Sequence, residues 1–147
     1  MRYHPAVKKL KEIFKVNQFG KLNSCFINVQ SYMPDWHKYE NFRKLYASQK
    51  RLGGGVILTE SHELDLIRFF FGFPEKIISV LESNKKFQLD VETKVSCCLI
   101  YLEKDFFANV KLDFLNKNLS RSLIFIFDKA KINLNLNQNQ IDIYNLS

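Results

Sequence analysis

Glycine is scarce in this chain, with five in 147 residues, and three of the five are adjacent at Gly53, Gly54 and Gly55. Neither G-x-G-x-x-G nor G-x-x-x-x-G-K-[ST] can be drawn from so few, so both familiar phosphate-binding loops are excluded. Cysteine is limited to Cys25, Cys97 and Cys98. An odd number with two adjacent makes a poor disulfide framework, and neither spacing suits a zinc knuckle. They read as reduced packing residues. The three histidines, His4, His37 and His62, form no H-E-x-x-H or other ligand spacing, so no metal site is expected. No apolar run approaches the ~18 residues that a membrane span needs. The opening Met1-Arg2-Tyr3-His4-Pro5 lacks the apolar centre of a signal peptide. The expectation is a cytoplasmic protein that meets no membrane. No linker, repeat or Pro-rich stretch divides the chain, so residues 1–147 read as one domain.

What is present is core material. Hydrophobic residues make up 46% and include 14 Phe, while charged residues make up 25%, which excludes disorder. The net charge is +7, and residues 1–72 carry +6 of it. The basic residues stand singly or in pairs, as at Lys8-Lys9 and Lys50-Arg51, and build no tract. A solvated basic surface and an anionic small ligand both fit this pattern. Nucleic acid is not expected, because the aromatics lie mostly in core-like alternation.

Pro5 to Phe14 predicts a helix, with Pro in the first turn and Val7, Leu10, Ile13 and Phe14 on one side. Leu22 to Tyr32 suits a strand. Met33 to Leu52 reads as a long polar and aromatic loop, a kind that is usually functional or a lid. The glycine triplet predicts the start of a second helix running to about Phe71, stopped by Gly72-Phe73-Pro74. From Lys76 the hydrophobic period becomes two, as in Ala130, Ile132, Leu134 and Leu136 against Lys131, Asn133 and Asn135. Asp128-Lys129 and Asn137 to Gln140 mark hairpin turns, and short connections imply antiparallel pairing. The expected fold class is α+β, a mostly antiparallel open sheet with helices of the amino half on one face. Apolar residues on both faces of several strands, such as Phe106 with Phe107, favour a partner on the second face.

His62 and Asp65 are three apart on the second predicted helix, so the carboxylate can hold the imidazole, which could then take a proton from a substrate hydroxyl. A plain helical neighbour pair fits the spacing equally. The glycines permit close approach to a helix N-terminus, where anions bind, and equally permit a tight turn. Trp36, His37, Arg43 and Tyr46 are residues that stack on and hydrogen-bond to sugars or nucleotides, with Arg43 suited to phosphate or carboxylate. A loop pinned by its own aromatics is the alternative.

Taken in order, Arg2-Tyr3-His4-Pro5-Ala6-Val7-Lys8-Lys9, Phe19-Gly20-Lys21, Tyr32-Met33-Pro34-Asp35-Trp36-His37, Gly53-Gly54-Gly55-Val56-Ile57-Leu58 and His62-Glu63-Leu64-Asp65 through Gly72 resemble the Gfo/Idh/MocA oxidoreductases. The likeness is closest to members acting on sugars or nucleotide sugars. Arg121 to Tyr144 is similar to the family's strand–turn–strand segment. The resemblance implies the carboxy-terminal domain of the glyceraldehyde-3-phosphate-dehydrogenase-like fold, which carries the substrate site and an oligomer sheet. It implies NAD or NADP as cofactor, held by a Rossmann domain and accompanied by a Glu-Lys-Pro lysine, neither of which this chain contains. His62 matches the family's active-site histidine, and the Trp36-His37 segment corresponds to substrate-contacting positions. Thr59 stands near where the family often has Asp. The implied protein is a substrate-binding fragment, inactive and without bound cofactor on its own. Its partners would be a sugar or nucleotide sugar, a second copy through the sheet, or a separate Rossmann-domain chain. The alternative is a non-catalytic oligomerisation or partner-binding domain.

Overall fold

Pro5 fixes the first turn of α1 (Pro5–Val16), whose apolar side buries Ala6, Val7 and Leu10. The helix ends at Asn17, which takes the left-handed conformation with φ 52°. The computed structural model describes residues 1–146, apart from the side chain of Lys86. After α1 come β1 (Leu22–Tyr32), a run of four short 3-10 turns between Met33 and Leu52, and two helices, α2 (Val56–Thr59) and α3 (Ser61–Phe71). Six strands follow: β2 (Lys76–Glu82), β3 (Lys94–Tyr101), β4 (Phe106–Asp113), β5 (Leu115–Phe127), β6 (Ala130–Asn135) and β7 (Gln140–Asn145).

These strands form one seven-stranded sheet in the order β2-β3-β4-β1-β5-β6-β7. All neighbours pair antiparallel except β1 and β4, which are parallel, with Ser24 opposite Phe107 and Gln30 opposite Asp113. The expected α+β class and mostly antiparallel sheet are therefore found. The parallel pair escapes the short-connection rule because the long stretch between β1 and β4, including α2 and α3, serves as the crossover. The expected hairpin turns lie at Asp128-Lys129 and between Asn135 and Gln140.

One sheet face is the core. Cys25, Ile27 and Val29 of β1 align with Ala108, Val110 and Leu112 of β4 and with Phe125 and Leu123 of β5, and all are buried against Val7, Leu10, Val56, Leu66 and Ile67 of the helices. Phe14 packs edge-on against Phe125 at 5.0 Å and against Phe127 at 5.4 Å, closing α1 onto this face. Burying a side chain such as Phe125 stabilises by roughly 1.5–3 kcal/mol. The opposite face leaves Phe26, Phe107, Ile78 and Val80 exposed. Cys97 and Cys98 are free and on opposite faces of β3, and Cys97 packs against the core.

The helix expected from the glycine triplet to Phe71 is two helices. Glu60 leaves the helical region at φ −99°, ψ 30°, and makes an elbow between α2 and α3. The elbow turns the Glu60 side chain inward.

Candidate functional site

The glycine triplet is a packed turn. Gly53 and Gly55 have φ of 76° and 107°. A Cβ on Gly54 would lie 2.4 Å from the Tyr46 carbonyl oxygen, and one on Gly55 would lie 2.3 Å from Glu92 Oε1. The start of α2 already has its anion, since Glu92 Oε1 accepts from the Ile57 N–H at 3.1 Å and the Glu92 carbonyl accepts from the Val56 N–H at 3.0 Å. A dinucleotide pyrophosphate does not fit there, and the chain offers no other glycine turn before a helix. The glycine triplet therefore does not fit the pyrophosphate of NAD(P).

The elbow after α2 brings three charged residues together. Arg121 of β5 donates through Nη2 to Glu60 Oε2 at 2.5 Å, and its Nε lies 2.8 Å from Glu63 Oε1. The Glu63 side chain is fully buried and the Glu60 side chain is 11% exposed, so one guanidinium serves two nearly dry carboxylates. Burial pushes the Glu63 carboxyl up to about 7, and Arg121 only partly opposes this. His62 stands between the two glutamates in sequence but is exposed, and its ring has no partner among the described residues.

Asp65 does not hold His62. Its carboxylate is taken by Arg2, with Nε to Oδ2 at 2.8 Å and Nη2 to Oδ1 at 2.5 Å, and this pair keeps Asp65 below its ordinary range. Sequence spacing puts positions 62 and 65 on adjacent turns, but the amino end of α1 reaches Asp65 with a bidentate fork. Arg2 and Lys11 also lie over the Phe69 ring, so that side of α3 is occupied by α1 and its lead-in.

The loop candidates divide. Trp36 packs edge-on against Phe114 at 4.9 Å and borders a cavity of about 120 Å³ together with Ser31, Glu60, Ser120, Arg121 and Asn137. It is thus brought to the elbow. His37 pairs with Tyr39, whose hydroxyl lies 3.2 Å from Nδ1. Arg43 donates through Nε to the Phe87 carbonyl at 3.2 Å and lies over the Phe42 ring, and Tyr46 is exposed. None of these three lines the cavity at the elbow.

Glu60, Glu63 and Arg121 are the site residues that sequence reasoning missed. A signal was available: Glu63 falls on the helical face of Leu66, Ile67 and Phe70, where an acid has no place unless it meets a buried base. The buried hydroxyl of Ser31, which has no hydrogen-bond partner among the described groups, also borders the cavity.

No protein-family model matches the sequence, and no curated protein does. Solved structures match the fold. Levoglucosan dehydrogenase, in complex with NADH and levoglucosan, superposes with a TM-score of 0.83 at 18% identity, over 99% of this chain and 41% of its own. The WlbA dehydrogenase from Bordetella pertussis, in complex with NADH and UDP-GlcNAcA, gives 0.79 at 17% identity, over 98% of this chain and 44% of its own. UDP-N-acetylglucosamine 3-dehydrogenase GnnA from Acidithiobacillus ferrooxidans gives 0.73 at 16% identity, over 99% of this chain and 41% of its own. This chain thus spans less than half the length of each of these dehydrogenases. Among the described residues no helix is long and apolar enough to cross a membrane. The sheet order and these superpositions together give the chain the α+β fold found in part of each of these dehydrogenases.

Proposed function

We propose that this chain is the substrate-binding unit of a cytoplasmic NAD(P)-dependent sugar or nucleotide-sugar dehydrogenase, working with a nucleotide-binding unit. The observation that carries this reading is the superposition of nearly the whole chain on less than half of dehydrogenases solved with NADH and a sugar or nucleotide sugar. The elbow agrees with it. His62 is exposed and unpartnered beside Glu60, which borders a small polar cavity with Trp36 and Arg121. A hydroxyl-rich ligand suits such a lining, because Glu60 and Glu63 already engage the arginine and leave no free positive charge for a bare anion.

In this role the nucleotide-binding unit supplies the redox chemistry. His62 takes or returns the proton on the sugar hydroxyl and Trp36 offers a ring face, while His37, Arg43 and Tyr46, outside the cavity, meet only a ligand that extends along the 33–46 loop, and Asp65 stays paired with Arg2. Turnover depends on that nucleotide-binding unit, which positions the nicotinamide. The test is titration of the isotope-labelled chain with UDP-N-acetylglucosamine, levoglucosan and NADH, followed by amide chemical shifts. Shifts confined to the elbow and the 33–46 loop with a sugar ligand, and none with NADH, are expected. Binding of NADH alone, or no response to either sugar ligand, overturns the proposal. His62→Ala should leave the fold intact and weaken binding of the sugar ligand.

A second reading, a non-catalytic assembly domain, draws on the exposed apolar side chains of Phe26, Phe107, Ile78 and Val80 on the open sheet face. The two readings are compatible, since a substrate domain can also join copies through its sheet.

A further inference from the structure

The sheet has two edges, and they are built differently. Strand β7 carries Gln140, Asp142 and Asn145 among its six residues, with the acid in mid-strand where it discourages an added strand. Strand β2 has none of these protections. All seven of its residues are exposed, including Ile77 at 62%, Ile78 at 63%, Val80 at 71% and Leu81 at 51%. It pairs with β3 in unbroken register and lies at the sheet's end, with no strand beyond it among the described residues. Charge appears only at its ends, as Lys76 and Glu82.

We infer that β2 pairs antiparallel with β2 of a second copy, about a two-fold axis through Ser79. The inference rests on the assembly reading above and is independent of the sugar reading. The sequence Lys-Ile-Ile-Ser-Val-Leu-Glu is its own complement in this register. Lys76 falls opposite the partner's Glu82, Ile77 opposite the partner's Leu81, and Ile78 opposite the partner's Val80. The small Ser79 meets its own copy on the axis. A parallel pairing in register would instead set Lys76 beside Lys76 and Glu82 beside Glu82, so charge selects the antiparallel one.

Both faces of the strand gain from it. On the open face, Ile78 and Val80 acquire aliphatic neighbours where they now meet water. On the helical face, Leu81 borders a groove of about 670 Å³ with Ile57 and Leu58, and the partner's Ile77 lands at its mouth. Glu82 already has Lys94 at 3.4 Å on its β3 side, while Lys76 has no ion pair among the described residues. The partner's Glu82 supplies one.

The test is light scattering and sedimentation of the full chain over a dilution series, with UDP-N-acetylglucosamine titrated into the same samples. A monomer–dimer equilibrium is expected. Lys76→Glu and Glu82→Lys should each weaken the dimer about tenfold, and the double exchange should restore it. Unchanged thermal unfolding of each variant confirms that the fold survives. A monomer at every concentration overturns the pairing, and if that monomer binds the nucleotide sugar, the sugar reading stands. A dimer insensitive to Lys76→Glu but broken by Phe107→Glu also overturns it and assigns the contact to the open face.

Discussion

Two arginines grip helix α3, and their contacts differ in burial far more than in geometry. Arg2 meets Asp65 in a bidentate fork with both side chains about two-fifths exposed, whereas Arg121 meets Glu60 and Glu63 with the latter fully buried. The exposed pair shares its charges with water and salt, so it positions the amino end without anchoring it. The buried set has no such solvent. Each of its charges depends on the others, and the pair that looks ideal on distances is the weaker contributor.

The largest expected effect comes from removing the shared cation. Arg121→Ala leaves the Glu60 carboxylate and the buried Glu63 without their shared cation and should cost about 3–5 kcal/mol in urea unfolding. A loss no larger than that of a surface arginine would place water in the elbow and dissolve the distinction.

The next effect is a pH slope. Glu63 has its folded value raised from 4.5 to about 7, so the folded chain holds a proton there that the unfolded chain releases. Its contribution to stability is whole below about pH 4.5, declines as pH rises to about 7 and is flat above, with a total of up to about 3 kcal/mol. Glu63→Gln should abolish that decline in thermal melts taken across the range, and a wild-type chain that gains stability over the same interval contradicts the assignment.

Asp65→Asn should be the smallest change, close to the limit of detection at moderate salt. Asp65 is shifted the other way, so its stabilisation is present above its unfolded value and fades as pH falls through its lowered folded value. A large effect that persists in high salt would show that the amino end is anchored through this pair after all.

The sheet was largely legible from hydrophobic alternation, because β4, β5 and β6 each bury one face and leave the other to polar or exposed residues. The parallel contact of β1 with β4 was not, since periodicity says which face a strand buries and nothing about its neighbour. In the site, His62 and Trp36 were named by residue type, and both lie at or beside the elbow. The pairing of His62 with Asp65 failed because helical spacing permits a contact without excluding a competitor, and Arg2 arrives from far away in sequence. Arg121 was hidden for the same reason: its partners lie about sixty positions earlier in the chain.

The central place of β1 also governs how the molecule is made. It is the first strand in sequence, yet its neighbours are β4 and β5, with Leu22 opposite Phe127 and Ser24 opposite Phe107. The runs β2–β4 and β5–β7 can each zip through local turns, but they cannot join until β1 is inserted between them. Closing so long a loop before its contacts form is entropically costly, so folding should be slow, with the insertion of β1 as its late step. Until then Cys25, Ile27 and Val29 remain an apolar strand without a sheet, and that interval is when the nascent chain most needs shelter from its own kind.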